Sequence, residues 1–146
     1  MRLPMMVASL CGVGFLRPAP GTWASALVLP VALLGPGWCL AFGIGFSLAG
    51  LWAVSRLPAA QRDPSWVVAD EGAGQCLALA ALPVDASGWW ILAAFALFRA
   101  VDIVKPGPVG WADRMGGTLS VMLDDILAGL LAGAALLLPR ALGLPH

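Results

Sequence analysis

Charge is scarce in this chain: 11% of its 146 residues are charged and 60% are hydrophobic, against roughly a quarter charged in ordinary soluble proteins. A water-soluble domain this short would be left with more apolar surface than it can cover. Neither sign of charge is in excess, since eight basic residues balance eight acidic ones, and DNA or RNA therefore has no broad electrostatic handle. Histidine is confined to His146, which argues against chemistry that needs an internal imidazole. The three cysteines, Cys11, Cys39 and Cys76, are odd in number and widely spaced in apolar surroundings. That pattern fits neither a disulfide framework nor a zinc site. No CxxC occurs, and Leu82 stands where a Cys-x5-Arg phosphate loop beginning at Cys76 would need arginine.

What the chain does have is long apolar stretches: Met1–Phe15, Ala24–Leu34, Trp38–Leu57, Val67–Leu82, Trp89–Val104 and Leu119–Leu138, with most of the proline and charge between them. About 20 residues of helix span a bilayer core. Trp38–Leu57 and Leu119–Leu138 reach that length, and Val67–Leu82 and Trp89–Val104 reach it with tilt or local thinning. The pattern predicts an all-α fold: a single domain over residues 1–146, a polytopic helical bundle of about four transmembrane helices preceded by a short apolar or re-entrant helix. The first 15 residues also resemble a secretory signal, with Ala24-Ser25-Ala26 as a cleavage site; a retained apolar segment is the preferred reading. Most of the seven tryptophans sit at segment ends, as interfacial anchors do.

Arg17, then Arg56 and Arg62, then Lys105 and Arg114 fall in alternate connections, while Gly35-Pro36-Gly37 and Pro83–Gly88 carry no basic residue. Lysine and arginine in short loops favour the cytoplasmic side, which places those three connections inside and leaves Arg140 as a dissenting charge outside. On that topology five carboxylates from three helices converge beneath the cytoplasmic face: Asp70 and Glu71, Asp102, and Asp124 with Asp125. An ionised Asp inside an apolar helix costs roughly 2.5 to 3.5 kcal/mol on insertion scales. Adjacent pairs such as Asp70-Glu71 and Asp124-Asp125 therefore need compensation. Structural ion pairs with Arg99, Lys105 and Arg114, solvated helix ends, and a proton or ion pathway would each supply some. A hard cation bound by oxygens from several helices compensates all of them together.

Arg99 and Asp102 share a helix face at i, i+3 spacing, and Lys105 follows one turn later, before Pro106 stops the helix. Basic groups beside a metal are suited to binding and polarising a phosphate, although Arg99 also reads as a structural partner of Asp102. Gly72, Gly74, Gly129 and Gly133 lie near the acids and allow close helix contact.

Four motifs occur in order: Pro20-Gly21-Thr22-Trp23-Ala24-Ser25, then Asp63-Pro64-Ser65-Trp66 through Asp70-Glu71, then Phe98-Arg99-Ala100-Val101-Asp102 through Lys105-Pro106-Gly107-Pro108, and last Gly117 through Asp124-Asp125 to Gly129. In these the chain resembles the phosphatidylglycerophosphatase A family of bacterial membrane lipid phosphatases, from about Gly14 to Gly133. It departs from the family pattern at Ala24, where glycine is usual, and at Val101, where phenylalanine is. The resemblance implies an Mg2+-dependent enzyme, with Mn2+ as the second choice, that removes phosphate from phosphatidylglycerol phosphate at the cytoplasmic face of the bacterial inner membrane. Asp70, Glu71, Asp102, Asp124 and Asp125 are then the catalytic and metal-binding set. Arg99, Lys105 and Thr22 are the phosphate-binding set, with helix capping the other reading of Thr22. Two other classes use acids and membranes. A lipid head-group transferase would show a DGxxAR opening, which is absent, and an ion or proton transporter would show midplane acids and an inverted repeat, of which there is no trace.

Overall fold

The computed structural model describes residues 1–142, and every regular element among them is helical. Helix α1 (Leu3–Ala8) and a 3-10 turn (Val13–Phe15) lead into α2 (Pro20–Leu27), which continues through a 3-10 stretch (Leu29–Leu34) to α3 (Pro36–Ser55). A 3-10 turn (Ala60–Arg62) then precedes α4 (Ala69–Leu79), α5 (Gly88–Val104), α6 (Pro108–Asp113) and α7 (Gly117–Ala141). Proline opens α1, α2, α3 and α6, in the first turn, where its missing N–H has no intrahelical partner to lose. His146 and the side chain of Arg140 lie outside the described residues.

The hub is α4, against which α2, α3, α5 and α7 all pack. Its sequence explains why: alanine and glycine at Ala69, Gly72, Ala73, Gly74 and Ala78, all buried, let neighbouring helices come close. The tightest approach is between α4 and α7, where a Cβ on Gly129 would run into the backbone of Gly74 and a Cβ on Gly74 into the carbonyl oxygen of Asp125 and the ring of Phe98. The start of α4 is fixed from the other side of the chain. The Val68 N–H donates to the Ala8 carbonyl at 2.8 Å, and Phe15 stacks on Trp66 with ring centroids 6.0 Å apart.

Among the described residues two helices, α3 and α7, are long and apolar enough to cross a membrane. The expectation of about four such helices is therefore corrected. The Val67–Leu82 stretch supplies only the 11 helical residues of α4, about 16 Å at 1.5 Å per residue, and they are enclosed by protein. The Trp89–Val104 stretch becomes the 17 residues of α5, about 25 Å by the same rise. Hydropathy alone does not separate a helix that faces lipid from one buried among other helices, and α4 is of the second kind. The N-terminal segment is short and apolar as foreseen, split between the 6 residues of α1 and the α2 region.

Candidate active site

Asp70 and Glu71 occupy the first turn of α4, where the unpaired N–H groups and the helix dipole favour negative charge. The Glu71 N–H donates to the Asp70 carboxylate at 3.1 Å. Across the Gly74–Gly129 crossing, Asp125 of α7 sits one turn before Gly129, as Asp70 sits one turn before Gly74. The close backbone contact thus brings the two acidic positions to the same level. Carboxylate oxygens of Asp70, Glu71 and Asp125 all lie within 4.8 Å of one another, with Asp70 and Asp125 buried and Glu71 half-buried.

Asp102 and Asp124 flank these three rather than joining them. Asp102 is an electrostatic neighbour of both Glu71 and Asp125, and its carboxylate is paired with the Arg99 Nη1 at 2.6 Å. Asp124, next to Asp125 in α7, accepts from the Lys105 Nζ at 2.6 Å, and Lys105 also reaches Asp113 at 2.5 Å. Of the basic residues expected to face phosphate, Arg99 and Lys105 are thus both at the site and both already paired with acids. Lys105 adopts a left-handed backbone at the C-cap of α5 (φ 51, ψ 56), a conformation uncommon outside glycine. It redirects the chain into Pro106 and α6. Thr22 lies in the first turn of α2, half-buried, and does not cap that helix, whose N-cap is Ala19.

Gly21 ties α2 to the cluster. A Cβ there would collide with the Glu71 carboxylate and come within 3.2 Å of the Arg99 Nη1, so the backbone of α2 lies against both groups, and an added methyl would displace the Glu71 carboxylate from its present place. A pattern search for charged residues passes over this position, although it stands in the Pro-Gly-Thr motif. Asp63 and Asp113 were missed for a similar reason: they lie in the linker before α4 and at the end of α6, outside the apolar segments. With Gln61, Arg62, Ser120 and Asp124 they line a polar cavity of about 190 Å³ beside the acidic cluster.

The carboxyl of Asp63 is pushed up to about 6, first by desolvation and then by the negative charges of Asp124, Asp113 and Asp102, with Lys105 pulling the other way. A folded value above the ordinary 3.8 means the charged form is disfavoured in the native state, so this group lowers stability above pH 6 and the penalty fades as pH falls toward 4. Asp63→Asn should therefore raise the thermal midpoint of chelator-treated protein at pH 7.5 and lose that advantage at pH 4. An equal gain at both values would show that Asp63 titrates normally.

The three clustered carboxylates suit a hard divalent cation. Two oxygens on opposite sides of such an ion are about 4.2 Å apart for Mg2+ and about 4.8 Å for Ca2+, from the usual bond lengths. A set made only of oxygens matches Mg2+, Mn2+ or Ca2+ rather than a softer metal. The buried Glu71 Oε2 has no hydrogen-bond partner, so this carboxylate is not fully satisfied by the protein alone.

A buried acidic cluster edged by a guanidinium, on an all-helical scaffold, is the equipment of a phosphoric monoester hydrolase. The chain belongs to the phosphatidylglycerophosphatase A family, whose sequence pattern matches residues 6–140. Among its relatives, a Bacteroides thetaiotaomicron protein, provisionally named a phosphatidylinositol-3-phosphatase, is 39% identical over an alignment of 140 residues that covers 88% of this chain and 87% of the relative. The phosphatidylglycerophosphatase A of Haemophilus influenzae is 39% identical over 129 residues, 83% of this chain and 78% of its own. That of Escherichia coli is 40% identical over 76 residues, 51% of this chain and 43% of its own. No solved structure matches the chain.

Proposed function

We propose that this protein hydrolyses the terminal phosphomonoester of a glycerophospholipid, phosphatidylglycerol phosphate in the first instance, with Mg2+, or Mn2+ in its place, held by Asp70, Glu71 and Asp125. The observation that carries the reading is the meeting of those three carboxylates within 4.8 Å, in a chain of this family. A cation there supplies Lewis-acid polarisation of the phosphoryl oxygens and a water that ionises near neutral pH.

The other residues complete the reaction. Arg99 sits where α2, α4 and α5 meet, and a guanidinium fork pairs well with phosphate oxygens. The first turn of α2, with its unpaired N–H groups and Thr22, offers further donors to an anion. Asp124 keeps one buried oxygen, Oδ1, free of hydrogen bonds and is the general base that takes a proton from the attacking water. Water oxygen then bonds to phosphorus, the ester P–O bond breaks, and the leaving lipid oxygen takes up the proton that Asp124 received. The ammonium of Lys105 holds Asp124 in place, and Asp102 holds Arg99.

Helices α3 and α7 cross the bilayer in this proposal, and α5 packs against α7. Their outward faces carry large apolar side chains such as Leu48, Trp89 and Leu138, a surface suited to lipid. Arg56, Arg62, Lys105 and Arg114 lie at the end of the bundle where the acids lie, and their charge sets that end toward the cytoplasm, facing the inner leaflet of a bacterial cell membrane.

Release of inorganic phosphate from phosphatidylglycerol phosphate in detergent micelles tests the reaction. Release should need Mg2+ or Mn2+ and stop with chelator; undiminished release in excess chelator would remove the cation from the scheme. Running phosphatidylinositol 3-phosphate alongside tests the substrate named for the Bacteroides relative, and a faster rate on that lipid would reassign the head group without changing the chemistry.

A further inference from the structure

Gln75 is the residue in α4 that the proposed reaction leaves without a task. It is completely buried, yet neither its Oε1 nor its Nε2 has a hydrogen-bond partner. A buried amide left unpaired destabilises a fold, and a hydrophobic residue of similar volume would avoid that loss. The cavity beside the acidic cluster does not involve it, because that cavity is lined from α6, α7 and the loop before α4. Its position is informative: Gln75 stands four residues after Glu71 on the same helix, the spacing at which side chains meet on one face. Glu71 in turn has a buried carboxylate oxygen, Oε2, without a partner. Two unsatisfied and complementary groups, an amide donor and a carboxylate acceptor, therefore lie one helical turn apart in the protein interior.

We propose that Gln75 is a positioning residue for Glu71: its Nε2–H, unpaired in this structure, donates to Glu71 Oε2 once a cation is held by the other carboxylate oxygen, fixing the rotamer in which that oxygen binds the ion. Ligating carboxylates are commonly held by such outer hydrogen bonds, and losing one weakens metal binding about 10- to 100-fold. The glycine at position 21 acts from the opposite side, since it leaves room for the Glu71 carboxylate against the backbone of α2. Glu71 is thus held between a donor on its own helix and a steric boundary on the next. The inference rests on the cation reading of Asp70, Glu71 and Asp125.

The test uses Gln75→Leu and, as a straight-chain alternative that cannot donate, Gln75→Met. Each purified full-length variant is heated in detergent with chelator and again over a series of Mn2+ concentrations. Without metal both variants should melt at or above the wild-type temperature, because an unpaired buried amide has been replaced by an apolar group. With Mn2+ the wild type should rise in midpoint as ligand linkage requires, and the variants should need about 10- to 100-fold more Mn2+ for the same rise. The Mn2+ concentration for half-maximal phosphate release should shift by the same factor while the KM for lipid stays unchanged. A wild-type Mn2+ response retained in full by both variants would overturn the role of Gln75 and leave the cation site standing. A wild type that gains nothing from Mn2+ would overturn both. If one variant fails to fold, the other decides.

Discussion

Asp125→Asn should abolish phosphate release, by about 10³-fold or more, while making the metal-free protein more stable. Both effects follow from one geometric fact. Asp125 comes from α7 and meets Asp70 and Glu71 of α4 with oxygens within 4.8 Å, so in the absence of a cation the three repel one another in a poorly solvated place. Asparagine keeps the shape and removes one charge. The lost transition-state stabilisation is the Lewis-acid contribution of a bound cation, several kcal/mol, and about 4 kcal/mol corresponds to the rate factor given. Thermal unfolding with and without Mn2+ distinguishes this from simple misfolding: the variant should melt higher than wild type in chelator and gain nothing from metal. A variant that melts lower and still gains from Mn2+ would mean that Asp125 is a structural partner and that the ion sits elsewhere.

How much of this was legible in the sequence depends on what each residue contributes. Helices α3 and α7 were readable because each is one long apolar run bounded by proline or glycine, and hydropathy sees such runs directly. The meeting of the acids was legible in part, since carboxylates in adjacent pairs within apolar stretches demand a partner; three of the five expected, Asp70, Glu71 and Asp125, come together, while Asp102 and Asp124 pair with Arg99 and Lys105. The role of α4 was not. Its Val67–Leu82 stretch has the composition of a membrane span, but its alanines and glycines are there to admit neighbouring helices, and their contacts are long-range facts. Lys105 shows the same limit on a smaller scale. Its place before Pro106 announced a helix end, yet the left-handed turn that swings its ammonium between Asp113 and Asp124 depends on where α6 goes next.

The acids also divide in a way their spacing conceals. Asp124 and Asp125 are neighbours in sequence and both buried, but successive positions on a helix point about 100° apart. Asp125 therefore turns toward α4 and Asp124 toward Lys105. In the proposed reaction one adjacent pair thereby serves two purposes, Asp125 as a ligand on one side and Asp124 as a base anchored by an ammonium on the other. The pair Asp70-Glu71 behaves differently: both lie in the first turn of α4 and both bring a carboxylate oxygen to the same cluster.

Gly129→Ala should be strongly damaging although the residue bears no functional group. The added methyl would meet the carbonyl oxygen of Gly74, with the Gly74 carbonyl carbon 2.8 Å and its Cα 2.9 Å away, all backbone atoms of a helix that is itself enclosed. No rotamer change relieves such a contact, so α4 and α7 must move apart. Overpacking of this kind costs about 1 to 3 kcal/mol and sometimes more, and here the displacement has a second consequence. Asp125 lies one turn before Gly129 and the Asp70-Glu71 pair one turn before Gly74, so any widening of the crossing lengthens the gap that a cation must bridge. The expected result is a lower melting temperature together with loss of the stabilisation by Mn2+ and of phosphate release. Gly45→Ala is the matched control: that position in α3 has nothing within 4 Å of an added Cβ, so the change should be neutral or slightly stabilising through helix propensity. Gly133→Ala lies between them, since its methyl would meet the methyl of Ala81 at 3.3 Å, a contact that a small shift accommodates. Should Gly129→Ala keep both its stability and its response to metal, the close crossing of α4 and α7 would not be what assembles the site.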